Sequence, residues 1–298
     1  MISLSLIDAN YMARRAVHTR KGLQSSFGLP TGGVYFFLNT LWSLLNLGSP
    51  ILVFDGGRSP FRKAIFPEYK SKEKDPKFEE EAQFTFQVLD SLLPKMGLTS
   101  VKIPEAEADD VLYVLTKHFT ESFDVVVVSD DKDYFQFIKL GAILYQPMKG
   151  LYWDREKFKE AWGFYPEYFS LWRSMVGDTS DKIPGVSNLG IRNLEGLSKK
   201  DLVATYVVQQ LKEPSLEALV DWSEKNPHPI GKRIISNLAI IKRNYLLIDL
   251  DQSDVSCDQV IDSFMAARSK AKLDLKFVEK VFKSLEFKDN KWLSHLSR

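Results

Sequence analysis

The sequence predicts an α/β fold in which buried strands alternate with helices. Residues 125–128 are four consecutive valines, which favour extended backbone and present no polar face, so we expect a strand buried on both sides. Two other short apolar runs, residues 2–7 and 51–54, run directly into an acid, Asp8 or Asp55. Binding sites in α/β sheets collect at the carboxyl ends of the strands. Strands that end in acids therefore predict a functional site at that edge of the sheet.

The composition is that of a globular protein with one large domain or two smaller ones. The chain has 298 residues, of which 44% are hydrophobic and 27% charged. Its single cysteine, Cys257, excludes an intrachain disulfide and suits a reducing cytoplasm. The sequence contains neither an apolar run of membrane-spanning length nor a signal-peptide pattern, so we expect a soluble intracellular protein. The net charge of +1 says little about partners, because charge segregation matters more than the sum.

Apolar periodicity predicts the elements of the N-terminal part in turn. After the first strand we expect a helix over residues 10–18, a loop rich in turn residues, and a second helix over residues 34–47. A lone acid between a strand and a helix is more often a helix cap than a metal ligand, so Asp8 by itself decides nothing. Further along, the pattern predicts a long helix over residues 78–93 and a short strand over residues 101–103.

The segment from Arg58 to Lys74 mixes basic and aromatic side chains. Such a mixture is typical of a nucleic-acid path, because cations neutralise phosphates and rings stack on bases. The alternative is a solvated charged helix or loop, and the acids Glu68 and Glu73 keep it open. The candidate substrate contacts in this segment are Arg58, Arg62, Lys63, Tyr69, Lys70 and Lys72.

A third acidic group lies at the start of a helix predicted over residues 109–118. Glu107 and Asp110 are three residues apart and can share a helix face, with Asp109 beside them. Acids at a helix start also suit the helix dipole, which is the simpler explanation.

A fourth acidic group follows the valine strand. Asp131 and Asp133 are two residues apart and can turn toward one point if the chain there is extended. Crowded carboxylates repel each other, and a hard divalent cation is the usual way to hold them together. The alternative is a solvated acidic turn.

The last acidic group lies in a glycine-rich turn after a predicted short helix (residues 134–139), a strand (143–145) and a buried helix (171–176). Asp178 and Asp181 sit among glycines that let backbone N–H groups approach a phosphate closely. A helix from about residue 191 would offer its N-terminus to the same anion. From about residue 201 we expect helices, with residues 245–249 as a short extended piece or a turn. The candidate anion contacts are Gly185, Val186, Gly190 and Arg192.

Together, these acids exceed what one Mg²⁺ ion binds directly, since that ion keeps several waters and takes one or two carboxylates. They fit a pair of ions, which can activate water, orient a phosphodiester and stabilise the leaving oxygen of an in-line displacement. The sequence offers no candidate Ser, Cys or His nucleophile, so the residues indicate a metal-dependent phosphodiesterase. The candidate metal ligands are Asp8, Asp55, Glu107, Asp109, Asp110, Asp131, Asp133, Asp178 and Asp181.

The acidic motifs, in their order and spacing, resemble those of the structure-specific 5′-nucleases, or flap endonucleases. That family includes phage 5′-exonucleases, phage RNase H and the 5′-nuclease domain of bacterial DNA polymerase I. The resemblance runs from Leu6 to about Leu250. Its motifs are Phe-Asp-Gly at 54–56, Pro-Glu-Tyr-Lys at 67–70, Glu-Ala-Asp-Asp at 107–110, Ser-Asp-Asp-Lys-Asp at 129–133 and the run from Gly177 to Val186.

The resemblance implies a central twisted, mostly parallel sheet between helices. It also implies a helical arch over about residues 58–93, through which a single-stranded 5′ end passes above the active site. An α/β nuclease domain would then span residues 1–176 and a helical C-terminal region residues 177–298. Within that region, a helix–turn–helix over about residues 183–200 would grip duplex phosphates, with K⁺ as a candidate ligand.

The resemblance further implies individual roles. Lys70 would meet the scissile phosphate and Tyr69 would stack on a nearby base. Lys70, Asp131 and Asp133 would act in catalysis, and two Mg²⁺ ions, replaceable by Mn²⁺, would be the cofactors.

Some positions depart from the family pattern. Asp130 and Lys132 stand where relatives often carry Thr or Ser and Gly, which should tune the loop without removing the metal pair. Lys182 and Asn188 replace a common Asn and Gly, so the duplex grip is less well supported than the metal site. Glu73 occupies a position where relatives often carry Arg, and that role is therefore not assigned.

The expected activity is that of a metal-dependent 5′ to 3′ exonuclease and 5′-flap endonuclease, acting near single-strand/duplex junctions in primer removal during DNA replication. Its partners would be DNA with a 5′ flap or an RNA/DNA primer duplex, and a replication polymerase or single-strand-binding protein. We expect a monomeric, stand-alone nuclease in the cytoplasm of a bacterium or phage-infected host, with no membrane partner. One alternative is a non-cleaving structure-specific DNA-binding module, which leaves the acids unexplained. The other is a nucleotide-sugar transferase, which explains only Asp131 and Asp133.

Overall fold

A computed structural model describes residues 3–71, 75–187, 189, 203–288 and 291–297 of the chain. The chain divides into two compact units, each discontinuous in sequence. The first unit comprises residues 1–57, 73–129 and 255–298, and the second comprises residues 58–72 and 130–254. The boundary expected near residue 176 stays a prediction.

Strands and helices alternate along the N-terminal part of the described chain, and helices predominate toward its C-terminus. The strands are β1 Ser3–Asp8, β2 Ser49–Phe54, β3 Thr99–Lys102, β4 Asp124–Val128, β5 Ile143–Gln146, β6 Leu151–Trp153, β7 Gly177–Asp178 and β8 Ile183–Pro184. The helices are α1 Ala9–Thr19, α2 Gly32–Leu44, α3 Pro60–Ile65, α4 Pro76–Lys95, α5 Ala108–Phe119, α6 Arg155–Trp162, α7 Phe169–Val176, α8 Val203–Gln210, α9 Leu216–Lys225, α10 Pro229–Ser236, α11 Leu238–Ile248, α12 Cys257–Lys270, α13 Leu275–Ser284 and α14 Lys291–Leu296. Short 3₁₀ helices span Leu45–Leu47, Lys132–Leu140, Pro166–Tyr168 and Leu250–Gln252.

The first unit is built on parallel strands in the order β3-β2-β1-β4. In this register Asp8 pairs with Val53, and Ile7 pairs with Val128, so the carboxyl ends of three strands coincide. Strand β4 is buried over most of its length, as its run of valines predicts. The predicted α/β fold with a mostly parallel sheet is confirmed.

Helix α1 shows why helices alternate with these strands. Its buried residues Ala9, Met12, Ala13, Ala16 and Val17 recur at helical spacing and form one apolar face. The same sequence therefore supplies both the end of a strand and the start of a helix, with an acid at the junction between them.

The core of the second unit is an aromatic cluster. The ring of Phe135 lies 5.2 Å from that of Phe158 and 5.3 Å from that of Trp162. Trp162 in turn lies 5.2 Å from Trp172, with the rings close to perpendicular. This cluster packs α6 and α7 against the 3₁₀ helix Lys132–Leu140, and it fixes the segments that carry the acids of this unit. In the same unit, β5 and β6 form an antiparallel pair.

Two secondary-structure predictions need correction. The helix expected over residues 134–139 is a 3₁₀ helix of nine residues. Residues 245–248, expected as an extended piece or a turn, form the last turn of α11, because Ile241, Asn244, Leu247 and Ile248 give the helix a buried face. No helix in the described ranges is both long and apolar enough to cross a membrane.

Candidate metal centre and substrate surface

Asp8 joins the ends of two neighbouring parallel strands in the first unit. Its Oδ1 accepts a hydrogen bond from the Tyr11 N–H at 2.8 Å, which caps α1. Its Oδ2 accepts from the Ser129 hydroxyl, just past β4, at 3.2 Å. The capping role considered from the sequence is therefore present, while the proposed ligand role of Asp8 stays a prediction.

Asp55 links the end of β2 to the start of α5 in the same unit. Its Oδ1 accepts from the Ala108 N–H at 2.8 Å, and its Oδ2 accepts from the side-chain amide of Asn10. The first turn of α5 thus lies beside Asp55, and it carries three further candidate ligands. Glu107 and Asp110 are buried, and Asp109 accepts from the Asp110 N–H at 2.9 Å.

Three acids of the second unit converge. Asp133, Asp178 and Asp181 each place a carboxylate oxygen within 4.8 Å of the other two. Among the described residues, this acidic trio is the group of His, Cys, Asp or Glu side chains with metal-ligand spacing. The other six candidate ligands lie outside the trio. One of them, Asp131, precedes it on the chain, is exposed, and caps the 3₁₀ helix by accepting from the Asp133 N–H at 3.1 Å.

A tight hairpin presents Asp178 and Asp181. Asp178 in β7 pairs with Ile183 in β8, and Asp181 lies in the connecting turn. The hairpin packs so closely on the end of α7 that a Cβ on Gly185 would lie 1.9 Å from the Val176 carbonyl oxygen. Gly185 therefore has a packing role, and the Val186 N–H donates to the Met175 carbonyl at 2.9 Å. Phosphate contacts at Gly185 and Val186 stay predictions.

Arg173 on α7 is a member of this site that the sequence reasoning missed. Its Nη2 lies 2.8 Å from Asp178 Oδ2, and its Nε lies 3.3 Å from Asp133 Oδ1. Its side chain is 14% exposed. The available signal was a lone cation within the mostly apolar run 171–176, one helical turn before the glycine-rich turn.

The pKa values of Asp133 and Asp178 are shifted in opposite directions. Burial and the neighbouring Asp131 raise the pKa of Asp133 well above its usual range; Asp178 and Asp181 raise it further, and Arg173 opposes them. Burial acts on Asp178 in the same sense, but Arg173 and hydrogen bonds from Ser180 hold its pKa below its ordinary value. A bound cation would therefore relieve Asp133 more than Asp178.

Lys70 lies next to the trio within the second unit. Its Nζ is 3.8 Å from Asp181 Oδ2, and its backbone N–H donates to the Asp181 carbonyl at 3.2 Å. Its φ of 51° is in the left-handed region, which costs a non-glycine residue roughly 1 kcal/mol or more. The structure thus holds a cation beside the acids at a conformational cost, at the position expected to meet the scissile phosphate.

Arg62 and Tyr69, two of the predicted substrate contacts, are both buried. Arg62 is 3% exposed, and its Nε donates to the Leu247 carbonyl at 3.0 Å. Tyr69 is also 3% exposed and packs in an apolar cluster with Ile183, Leu247 and Ile248. Both side chains are used in packing, and their contacts with substrate stay predictions.

The remaining predicted substrate contacts fall into two groups. Arg58 and Lys63 are exposed, as substrate contacts require. Lys72, Gly190 and Arg192 lie outside the described residues, as does most of the expected helix–turn–helix over residues 183–200. The arch and the duplex-binding element stay predictions.

The acidic trio fits a divalent cation. Its donors are carboxylate oxygens, which hard divalent cations prefer, and burial together with repulsion from the neighbouring carboxylates raises the pKa of Asp133. Coordination by such an ion would relieve that repulsion. Asp133, Asp178 and Asp181 would hold it.

Comparison with known proteins decides the family. The family model of the 5′-3′ exonuclease N-terminal, resolvase-like domain matches residues 3–163, more than half of the chain. The chain belongs to this 5′-3′ exonuclease family. The 5′-nuclease family predicted from the acidic motifs is confirmed.

Exonuclease relatives are similar over much of their length. A 5′-3′ exonuclease of Aquifex aeolicus is 28% identical over 67% of this chain and 70% of its own length. One from Buchnera aphidicola subsp. Schizaphis graminum is 30% identical over 65% of this chain and 69% of its own. DNA polymerase I of Mycobacterium bovis is 28% identical over 96% of this chain, but the match spans 31% of that polymerase.

Solved structures share the fold. The T5 D15 protein co-crystallised with metal ions superposes with a TM-score of 0.68 over 91% of this chain and 100% of that one, at 17% identity. The catalytic core of Rad2 in complex with DNA superposes with a TM-score of 0.52 over 95% of this chain and 91% of that one, at 14% identity.

Proposed function

We propose that this protein is a divalent-metal-dependent 5′-nuclease that removes 5′ single-stranded arms and 5′-terminal nucleotides at single-strand/duplex junctions. The observation that carries this proposal is the acidic trio, with the cation of Lys70 3.8 Å from Asp181. Carboxylates that hold metal ions, next to a lysine that can meet a phosphate oxygen, suit metal-assisted hydrolysis of a phosphodiester. Membership of the 5′-3′ exonuclease family supports the polarity.

In this proposal each residue has a stated task. Asp133, Asp178 and Asp181 hold Mg²⁺ or Mn²⁺. The six other predicted acids bind the metal ions directly or through water. When bound, the ions would activate water and neutralise charge on the phosphodiester in the transition state. Arg173 fixes the orientation of two of the three carboxylates, and Lys70 orients the phosphate from beside Asp181.

The substrate and partners follow from the same proposal. The exonuclease and polymerase I relatives support DNA with a 5′ flap, or an RNA/DNA primer duplex, as substrate and primer removal as the task. K⁺ at the duplex-binding element belongs to the proposal as well.

The experiment is cleavage of a 5′-labelled flap duplex with Mg²⁺ and with EDTA, beside an unflapped duplex and a 3′-flap control. We expect release of the 5′ arm in Mg²⁺ alone, with the 3′ flap spared. Tight flap binding without release under any divalent ion would overturn the proposal in favour of a non-cleaving DNA-binding module.

Replacing Lys70 tests its assigned task. Lys70→Ala should lower kcat by about a hundredfold and raise the Kd for the flap duplex less, because the ammonium acts mainly on the phosphate in the transition state. The matched control is Lys225→Ala, which removes an exposed lysine from a surface ion pair on α9 in the same unit. Equal losses of rate and binding for Lys70→Ala would contradict the role.

A further inference from the structure

The 3₁₀ helix that carries Asp133 is unusually long. It spans nine residues, Lys132–Leu140, whereas 3₁₀ runs beyond three or four residues are uncommon. A 3₁₀ helix has 3.0 residues per turn, so side chains three apart eclipse one another. Asp133, Gln136 and Lys139 therefore line up along one face of this helix.

That face meets α7 through two polar contacts. Asp133 Oδ1 lies 3.3 Å from Arg173 Nε, and Gln136 Oε1 lies 2.8 Å from Ser170 Oγ. Ser170 and Arg173 are three residues apart on α7, so the two contacts are successive rungs between antiparallel helix faces. Gln136 is fully buried and Ser170 is 3% exposed.

Asp249 supplies the third rung. Its Oδ1 lies 3.2 Å from Lys139 Nζ and 2.8 Å from Ser170 Oγ, and its side chain is 2% exposed. Gln136 also binds the backbone on either side of Asp249. Its Nε2 donates to the Ile248 carbonyl at 3.0 Å, and its Oε1 accepts from the Leu250 N–H at 3.1 Å. We call these three rungs, 133–173, 136–170 and 139–249, the polar ladder.

The polar ladder contributes little net stability to the fold. Asp249 is a buried carboxylate directly after the C-terminus of α11, where the helix dipole disfavours negative charge. Buried ion pairs contribute little more than well-packed apolar side chains of the same volume. What hydrogen-bonded rungs add is a fixed register. In an α-helix, residues three apart drift by about 60°, so Asp133 and Lys139, which are six apart, would lie about 120° apart and would not share one face.

We propose that Gln136, Lys139 and Asp249 are positioning residues that hold this helix in its 3₁₀ form and so set Asp133 for metal binding. The inference rests on the proposed function, in which the acidic trio binds a divalent ion. Asp249 and Lys139 touch neither substrate nor metal in this role and act through the helix that they hold.

The test measures hydrogen exchange in the metal-free protein and the affinity for Mn²⁺. Neither measurement depends on cleavage. The variants are Asp249→Asn, Gln136→Leu and Lys139→Met. The control is Asp251→Asn, because Asp251 pairs with the same Lys139 at 2.8 Å but is 41% exposed. Calorimetry gives the Kd for Mn²⁺, and hydrogen exchange follows the amides of residues 132–140.

We expect the ladder variants to raise the Kd for Mn²⁺ about tenfold and to speed exchange in residues 132–140, with Asp251→Asn within about twofold of wild type. Wild-type affinity in Asp249→Asn and Lys139→Met, alongside a lower Tm, would show a purely structural role and overturn the inference. A wild-type protein that binds no Mn²⁺ would overturn the proposed function itself, and the metal-binding role of the ladder with it.

Discussion

The two units hold their acids in different ways. In the first unit, Asp8 and Asp55 accept hydrogen bonds from the backbone N–H groups of Tyr11 and Ala108 at the starts of helices. In the second unit, Asp133 and Asp178 face each other and Asp181, and they are paired with the guanidinium of Arg173.

This difference indicates which acids are stable in the folded protein without a bound metal ion. A carboxylate that caps a helix stabilises the fold as it stands. Burial and repulsion from the neighbouring carboxylates destabilise the charged form of Asp133, as its raised pKa shows. Capping acids should therefore contribute to stability without metal, whereas the trio should depend on Arg173 and on a bound ion.

The largest expected effect comes from Asp133→Asn. Cleavage should fall by at least roughly a hundredfold, because a metal ligand is lost. The metal-free protein should nevertheless unfold at a higher temperature at pH 8, since the variant removes a buried negative charge that nearby carboxylates repel. Cleavage rates and thermal unfolding in EDTA measure the two effects.

Asp178→Asn is the matched control for that prediction. Arg173 and Ser180 hold the pKa of Asp178 below its usual value, so its charge is favourable in the folded protein. This variant should lose cleavage as well, but its metal-free Tm should fall. Shifts of the same sign in both variants would contradict the assignment of Asp133 as the repelled member.

Removing the internal cation should give the next largest effect. Arg173→Met leaves two facing carboxylates without their guanidinium and should lower the free energy of unfolding in EDTA by roughly 3 kcal/mol. Saturating Mg²⁺ should recover part of the loss, because the ion replaces the missing charge. Urea denaturation with and without Mg²⁺ measures both quantities.

The control for Arg173 is an exposed arginine of the same unit. Arg155 pairs with Glu167 at 2.8 Å but is 48% exposed, and Arg155→Met should lower the free energy of unfolding far less than Arg173→Met. A loss in Arg173→Met no larger than that of the control would refute the internal-cation role.

The strands and their acids could be predicted from sequence because their signals are local. Four valines before a polar turn identify β4, and acids at strand ends identify the edge of the sheet where Asp8 and Asp55 lie. The convergence of Asp133 with Asp178 and Asp181 followed from motif order and not from any local pattern.

The features missed depend on contacts between distant parts of the chain. Tyr69 is buried because Leu247 and Ile248, far later in the sequence, pack on it, and nothing in the basic segment around it indicates these partners. The nine-residue 3₁₀ helix could not be told from a short α-helix, because its period depends on rungs from Ser170 and Asp249. Local sequence propensity does not indicate such distant partners.

A smaller effect is expected of pH on the stability of the metal-free protein. Because the folded-state pKa of Asp133 is raised, the metal-free fold binds its proton more tightly than the unfolded chain does. This contribution to stability is present at low pH and is lost as the pH rises through the raised pKa. The lowered pKa of Asp178 acts in the opposite sense, but its contribution is lost only as the pH falls below its ordinary range.

The gain in Tm on adding Mg²⁺ should therefore increase with pH between about 5 and 8, because the ion and the proton compete for Asp133. Thermal unfolding at several pH values, with Mg²⁺ and with EDTA, measures the trend. Asp133→Asn should flatten it. A gain that is independent of pH in the wild type would show that Asp133 is already ionised throughout that range.

The smallest effect separates capping from charge at Asp8. Asp8→Ala removes the acceptor for the Tyr11 N–H and should lower the free energy of unfolding by about 1 kcal/mol, whereas Asp8→Asn keeps a capping oxygen and should change it little. If Asp8 is a metal ligand as proposed, both variants lose cleavage, so Asp8→Asn would lose activity without gaining stability, unlike Asp133→Asn. Urea denaturation in EDTA gives the comparison. Equal losses of stability for Asn and Ala would show that the negative charge, rather than the hydrogen bond, holds the start of α1.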